Sequence, residues 1–255
     1  MFFQARPPIF LLSLVAIVLL GLFIIVPVSL VASAFGKLGL TGPQGLAVFL
    51  LTVVGSRWNI PIWRTTRLVR GEAAPASRIF SFGGGFSGQL GRVRFGQNPF
   101  GPAQDPGLLL SEQVLAVNVG GCLVPCALSA WFLWQMQLSG VLGGWMILCV
   151  LIPALACYLL ARPMPGIGIA VPVLLPPAVA AITALLVVPV LAGHDSLAPR
   201  AAYMAGTLGT LIGADLGHML NRRTLALLDA PLLSIGGAGT FDGIFLAGII
   251  AVLLA

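Results

Sequence analysis

The run IFLLSLVAIVLLGLFIIVPVSLVASAF, residues 9–35, carries no charged side chain, and its only polar side chains are three serines. A bilayer core about 30 Å thick is crossed by about 20 apolar residues in a helix rising about 1.5 Å per residue, and this run exceeds that length. Arg6 before it and Ala32, Ser33 and Ala34 near its end give it the outline of a secretory leader. A leader's apolar stretch has only about 7–15 residues, so the run reads as a transmembrane helix instead.

The whole chain agrees with that reading. It is 58% hydrophobic and 8% charged, with a mean hydropathy of +1.06. Backbone amides cannot go unpaired in lipid, so repeated apolar runs of helix length imply a helical bundle. The expected fold is all-α: a polytopic transmembrane helical bundle of about seven spans, at about 9–35, 39–56, 112–136, 140–161, 166–192, 200–221 and 236–255, forming one integral membrane domain over 1–255. With the N-terminus inside, Arg6, Arg57, Arg64, Arg67, Arg70, Arg78, Arg92, Arg94, Arg162, Arg222 and Arg223 fall on the cytoplasmic side, and only Lys37 and Arg200 fall outside. That bias is the one positive charge imposes on insertion, and the expected location is a prokaryotic cytoplasmic (inner) membrane.

The segment at about 57–110 mixes seven arginines with many glycines and with prolines at 61, 75, 99, 102 and 106. It is expected to be a cytoplasmic Arg/Gly/Pro-rich loop. Trp58 and Trp63 beside Arg57 and Arg64 have the makeup of an interfacial belt. The basic charge either grips anionic headgroups or only sets topology.

Several chemistries find no motif here: there is no HExxH, no phosphate-binding GKS/T loop, no GxSxG elbow and no nucleic-acid module. Cys122, Cys126, Cys149 and Cys157 all lie in apolar runs and read as packing residues. No metal and no cofactor is expected. The expected partners are membrane lipids, with a transmembrane peptide substrate or the subunits of a membrane complex.

The chemistry concentrates in GTLIGADLGHML (209–220) and SIGGAGTFDGIFLAGIIAVLLA (234–255). Gly209, Gly213 and Gly217 make one small-residue stripe, and Gly239, Gly243, Ala247 and Ala251 make another, as closely packed membrane helices require. Packing does not account for Asp215 and Asp242. Each sits six residues from the end of its run nearest Arg222, about 9 Å deep at helical rise, so two antiparallel helices bring the acids to one level. Acids in a span are costly and functional by default.

If the two face each other they share a proton, which suits general acid/base hydrolysis. His218, three residues beyond Asp215, is placed to pair with it and hold it ionised, which suits a proton or ion pathway instead. Asn118 beside Gly120 and Gly121, and the proline-broken fifth span, also fit transport. In a third reading the acids are merely structural, bonded across helices to Tyr203, Thr207, Thr210 or Thr240. Arg222 and Arg223 beside the glycine-rich turn suit an anion or lipid headgroup.

Asn59-Ile60-Pro61, AVNVGG (116–121), GTLGTLIGADL (206–216) and GGAGTFDGIFLAGIIAVLLA (236–255) resemble an uncharacterised bacterial and archaeal family of multi-pass membrane proteins of unknown function. More distantly, the two acids resemble those of the GxGD intramembrane aspartyl proteases, which implies catalytic roles for Asp215 and Asp242. The chain departs from that pattern: the spacing is GxGxxD, through Gly237, Gly239 and Asp242, no tyrosine precedes Asp215, and no later helix carries a PAL motif.

Overall fold

The computed structural model describes residues 9–69, 109–164, 168–221, 224–225, 228, 232–237 and 243–255. It is mostly helical: α1 (Ile9–Lys37), α2 (Gly42–Gly55), α3 (a π turn Val119–Leu123 running into Val124–Leu138), α4 (Trp145–Leu160) and α5 (Leu175–Val187, closed by a π turn Val188–Ala192). Then come α6 (Ala198–Thr210, continued by a π turn Leu211–Leu216 and the helical turn Gly217–Met219) and α7 (Gly243–Leu254). Ser13–Lys37, Val119–Leu138 and Leu175–Ala192 are long and apolar enough to cross a membrane, whereas Gly42–Gly55, Trp145–Leu160 and Gly243–Leu254 are shorter apolar helices.

The all-α expectation needs correction. β1 (Asn59–Val69) pairs antiparallel with β2 (Leu109–Asn118), and β5 (Leu232–Ile235) adds parallel to β2 on its other side. A second hairpin joins β3 (Arg162–Met164) and β4 (Gly168–Ala170). The expected span 112–136 therefore begins at Val119, and the expected span 166–192 begins at Leu175. The expected loop 57–110 contains all of β1 and the start of β2, while residues 70–108 lie outside the described residues. NIPIWRTTRLV is rich in β-branched and aromatic residues, which fit a pleated surface. Pro61 has no N–H for a ladder; it sits on an outer strand, where the register shifts between Pro61 and Trp63.

α6 is the axis of the helical part, packed against α3, α4, α5 and α7. Its small residues permit this: Ala201, Ala202 and Ala205 are fully buried, beside the large side chains of Tyr203 and Met204, which are fully buried too. A Cβ on Gly209 would meet Pro153, and one on Gly217 would meet Tyr158, so the glycine stripe faces α4 as the small-residue pattern predicts. Gly206 and Gly248 close the contact with α7, where Ala247 and Ala251 are buried. Gly243 faces open space, so it adds nothing to the stripe expected on α7.

The helices alternate in direction, as contacts at the two ends show. At one end Lys37 Nζ donates to the carbonyls of Val252 (3.4 Å) and Leu253 (3.2 Å), and Arg200 Nε donates to Leu38 O (3.1 Å). A cation at a helix C-terminus satisfies carbonyls that have no partner within the helix. These are the two basic residues that stood apart from the charge bias, and each serves as a cap. At the opposite end α2 and α3 meet the three-stranded sheet: Leu115, Val117 and Ile235 pack with Cys122, Leu211, Leu216, Met219 and Ile244.

Candidate functional site

Asp215 lies in the π turn Leu211–Leu216. π turns insert a residue into the helical winding and recur at functional sites. Gly213 is pressed against α4, where a Cβ would overlap the Ala154 carbonyl. Asp215 turns elsewhere: its Oδ2 accepts the backbone N–H of Gly236 at 2.7 Å. Gly236 closes β5 with φ of 73°, and a Cβ there would stand 2.7 Å from Gly121 C and 2.8 Å from Cys122 N. Left-handed backbone and close approach both demand glycine at that position.

Asn118 forms a second centre beside it. This buried side chain donates from Nδ2 to Ser56 O (2.8 Å) and to Asn59 Oδ1 (3.1 Å), and its Oδ1 accepts Gly121 N–H (2.8 Å). Asn118 is thus the N-cap of the π turn opening α3, where strand becomes helix. Ser234 Oγ, from β5, donates to the same Asn59 Oδ1. Gly120 packs so tightly on α2 that a Cβ would overlap Thr52 O and Ser56 N. The Asn59, AVNVGG, LIGADL and SIGG stretches, far apart in sequence, therefore meet at one end of the helices.

Other expected site residues are arranged differently. His218 does not pair with Asp215; its Nε2 hydrogen-bonds with Tyr158 O at 3.0 Å, and its ring stacks on Tyr158 at 4.8 Å between centroids. The expected bonds from Asp215 to Tyr203, Thr207 or Thr210 are absent. Thr207 Oγ1 donates to Tyr203 O (2.8 Å) and lies 3.3 Å from Ser129 Oγ, and Thr210 Oγ1 donates to Gly206 O (2.6 Å). Such bonds to the preceding turn satisfy a threonine without a partner helix. The Tyr203 hydroxyl, with its ring edge-on to Phe132, is buried with no hydrogen-bond partner among the described residues. Asp242, Thr240, Arg222 and Arg223 lie outside the described residues.

Sequence reasoning missed Asn59, Ser56 and Ser234 as site groups, although Asn59 carried a signal as a polar residue opening a motif next to the arginine-rich segment. The glycine-rich turn, expected to suit an anion or headgroup, instead sets its Gly236 amide against the Asp215 carboxyl. Among the described residues, no three His, Cys, Asp or Glu side chains gather to hold a metal ion. Chemically the arrangement offers an oriented carboxyl, with one oxygen fixed by an amide and no described hydrogen bond to the other.

These features define a mostly helical protein with helices able to cross a membrane, and with its polar groups collected where a small sheet meets them. Residues 53–254 match the family model described as a protein of unknown function, DUF1614, and the chain belongs to that family. No curated protein and no solved structure matches the chain.

Proposed function

We propose that the chain is a multi-pass protein of a prokaryotic inner membrane that acts as an intramembrane aspartyl-type hydrolase, with Asp215 and Asp242 as its paired acids. The observation that carries this reading is the 2.7 Å bond from Gly236 N–H to Asp215 Oδ2. It ties the start of the glycine-rich segment to the first acid, six residues before the second, a stretch that reaches at most about 20 Å when fully extended. In the reaction, one carboxylate takes a proton from water as the water oxygen attacks a peptide carbonyl carbon. The other acid gives its proton to the departing amide nitrogen, and water has been added across the bond.

A proton-coupled carrier is the second reading, and its relay runs through His218. The attachment of that ring to Tyr158 speaks against it. Turnover of a membrane-embedded peptide separates the readings. Asp242→Asn is expected to abolish cleavage and His218→Gln to weaken it only a few-fold. Asparagine matches aspartate closely in size and polarity, so the first substitution removes the acid with little change of shape. Equal losses from both substitutions would favour the carrier, because a relay needs every titrating member. Normal behaviour of both would leave a structural or assembly role.

The proposed orientation puts the sheet end in the cytoplasm, supported by Arg57, Arg64 and Arg162 at that end and by the capping roles of Lys37 and Arg200 at the other. Reporter fusions after Ala255 are expected to be exported; a fusion active in the cytoplasm would overturn it.

A further inference from the structure

The outer strand of the three-stranded sheet presents an apolar face to which the proposed hydrolysis assigns no role. Ile60 pairs with Val117, and Trp63 pairs with Leu115 across the bulge. Cross-strand partners share a face of a sheet, and Val117 and Leu115 pack onto the ends of the helices. Ile60 and Trp63 therefore point the same way, yet they are 49% and 62% exposed because β1 is an outer strand. Trp58 and Ile62 are equally open.

This patch continues an existing apolar surface. Leu46, Leu50 and Val54 are exposed at four-residue spacing along one side of α2, and Trp58 follows at the same interval just past its end. Arg57 and Arg64 are exposed at its margins. Indole rings favour the boundary between hydrocarbon and headgroups. Guanidinium groups match phosphate oxygens with paired N–H donors.

We propose that β1 lies in the headgroup layer of the membrane, with Trp58, Ile60, Ile62 and Trp63 against the acyl boundary and Arg57 and Arg64 holding the phosphates of anionic lipids. The occupant is lipid rather than protein, because the patch extends the apolar side of α2 and its charged margin complements an anionic surface.

The test uses the full chain with Cys126, the half-buried native thiol, replaced by alanine and with a fluorophore on Ile62→Cys; Cys122, Cys149 and Cys157 are buried, which directs the label to position 62. The protein is reconstituted in phosphatidylcholine vesicles containing a little nitroxide lipid with its spin label near the headgroup, either phosphatidylglycerol or phosphatidylcholine. Both nitroxide lipids are expected to quench, phosphatidylglycerol several-fold more strongly, since each basic residue near the surface contributes about a five-fold preference for anionic lipid. Arg57→Gln with Arg64→Gln should equalise the two. Quenching by aqueous iodide but not by nitroxide lipid would overturn the proposal. So would protection from both quenchers, which would mean that residues 70–108 or another protein cover the strand. Equal quenching by the two lipids in the unsubstituted chain would overturn the anionic preference.

Discussion

Asp215→Asn is expected to leave stability unchanged and to remove peptide cleavage, whereas Asp215→Ala is expected to lower stability as well as to remove cleavage. Asparagine keeps a carbonyl oxygen where Oδ2 accepts the Gly236 amide, so β5 stays fastened to α6. It cannot exchange a proton, and loss of a general acid or base lowers turnover by about 10²–10⁴-fold. Alanine removes the acceptor as well. Gly236 N–H, on a buried residue, then loses its acceptor, and an orphaned buried donor costs about 1–3 kcal/mol. Thermal unfolding in detergent, read beside a cleavage assay, distinguishes the two roles. If the asparagine variant unfolds as readily as the alanine variant, the carboxylate charge rather than its geometry holds the turn. If it still cleaves, Asp215 is only a fastening.

The glycines at the two tightest helix contacts should be the least replaceable residues in the protein. Gly213→Ala puts a methyl onto the Ala154 carbonyl and within 2.9 Å of Cys157 Cβ, and Gly120→Ala puts one onto the carbonyl of Thr52 and 2.9 Å from Ser56 Cα. Backbone cannot step aside as a flexible side chain does, so each contact must open along its length. Overpacking of this kind costs about 1–3 kcal/mol and sometimes more, and both variants are expected at or beyond the top of that range. Gly36→Ala and Gly144→Ala are the controls, because nothing stands within 4 Å of a Cβ at either position. Gly36, inside α1, should gain up to about 1 kcal/mol from helix propensity. Unfolding midpoints for the four variants check the ordering, and equal effects would mean that the α4–α6 and α2–α3 contacts are looser than described.

The apolar runs of α1, α3 and α5 were legible because length and hydropathy suffice to mark a helix able to cross a membrane. The glycine stripe on α6 was legible for a similar reason: four-residue spacing puts small side chains on one side wherever the helix packs. The sheet was not. β1 and β2 are partners across 39 intervening residues, and the apolar part of β2 runs into α3 with no break in hydropathy. A short apolar run adjoining a helix reads as more helix. The change of structure falls on Asn118, whose side chain caps the π turn, and an asparagine ahead of Gly120 and Gly121 is the one local hint of it.

The Asp215–His218 pairing failed for a different reason. An offset of three residues makes neighbours on an α-helix, but Asp215 belongs to a π turn and His218 to the α-turn after it, where Tyr158 is in reach. Nothing in a linear sequence announces that change of winding. The partner Asp215 does find, the amide of Gly236, depends on how α6 is rotated against the end of β5, which spacing alone does not determine.

The central claim is that Asp215 and Asp242 face each other, and cross-linking measures this directly. Asp215→Cys and Asp242→Cys are placed together in a chain whose four native cysteines have been replaced, and treated in membranes with a short bis-thiosulfonate. Ser129→Cys with Thr207→Cys, whose native oxygens stand 3.3 Å apart, serves as the positive control. The account predicts an intramolecular bridge between positions 215 and 242 that forms as readily as the control. A control that bridges while the 215/242 pair stays free would contradict it, since acids held apart cannot divide one proton exchange between them.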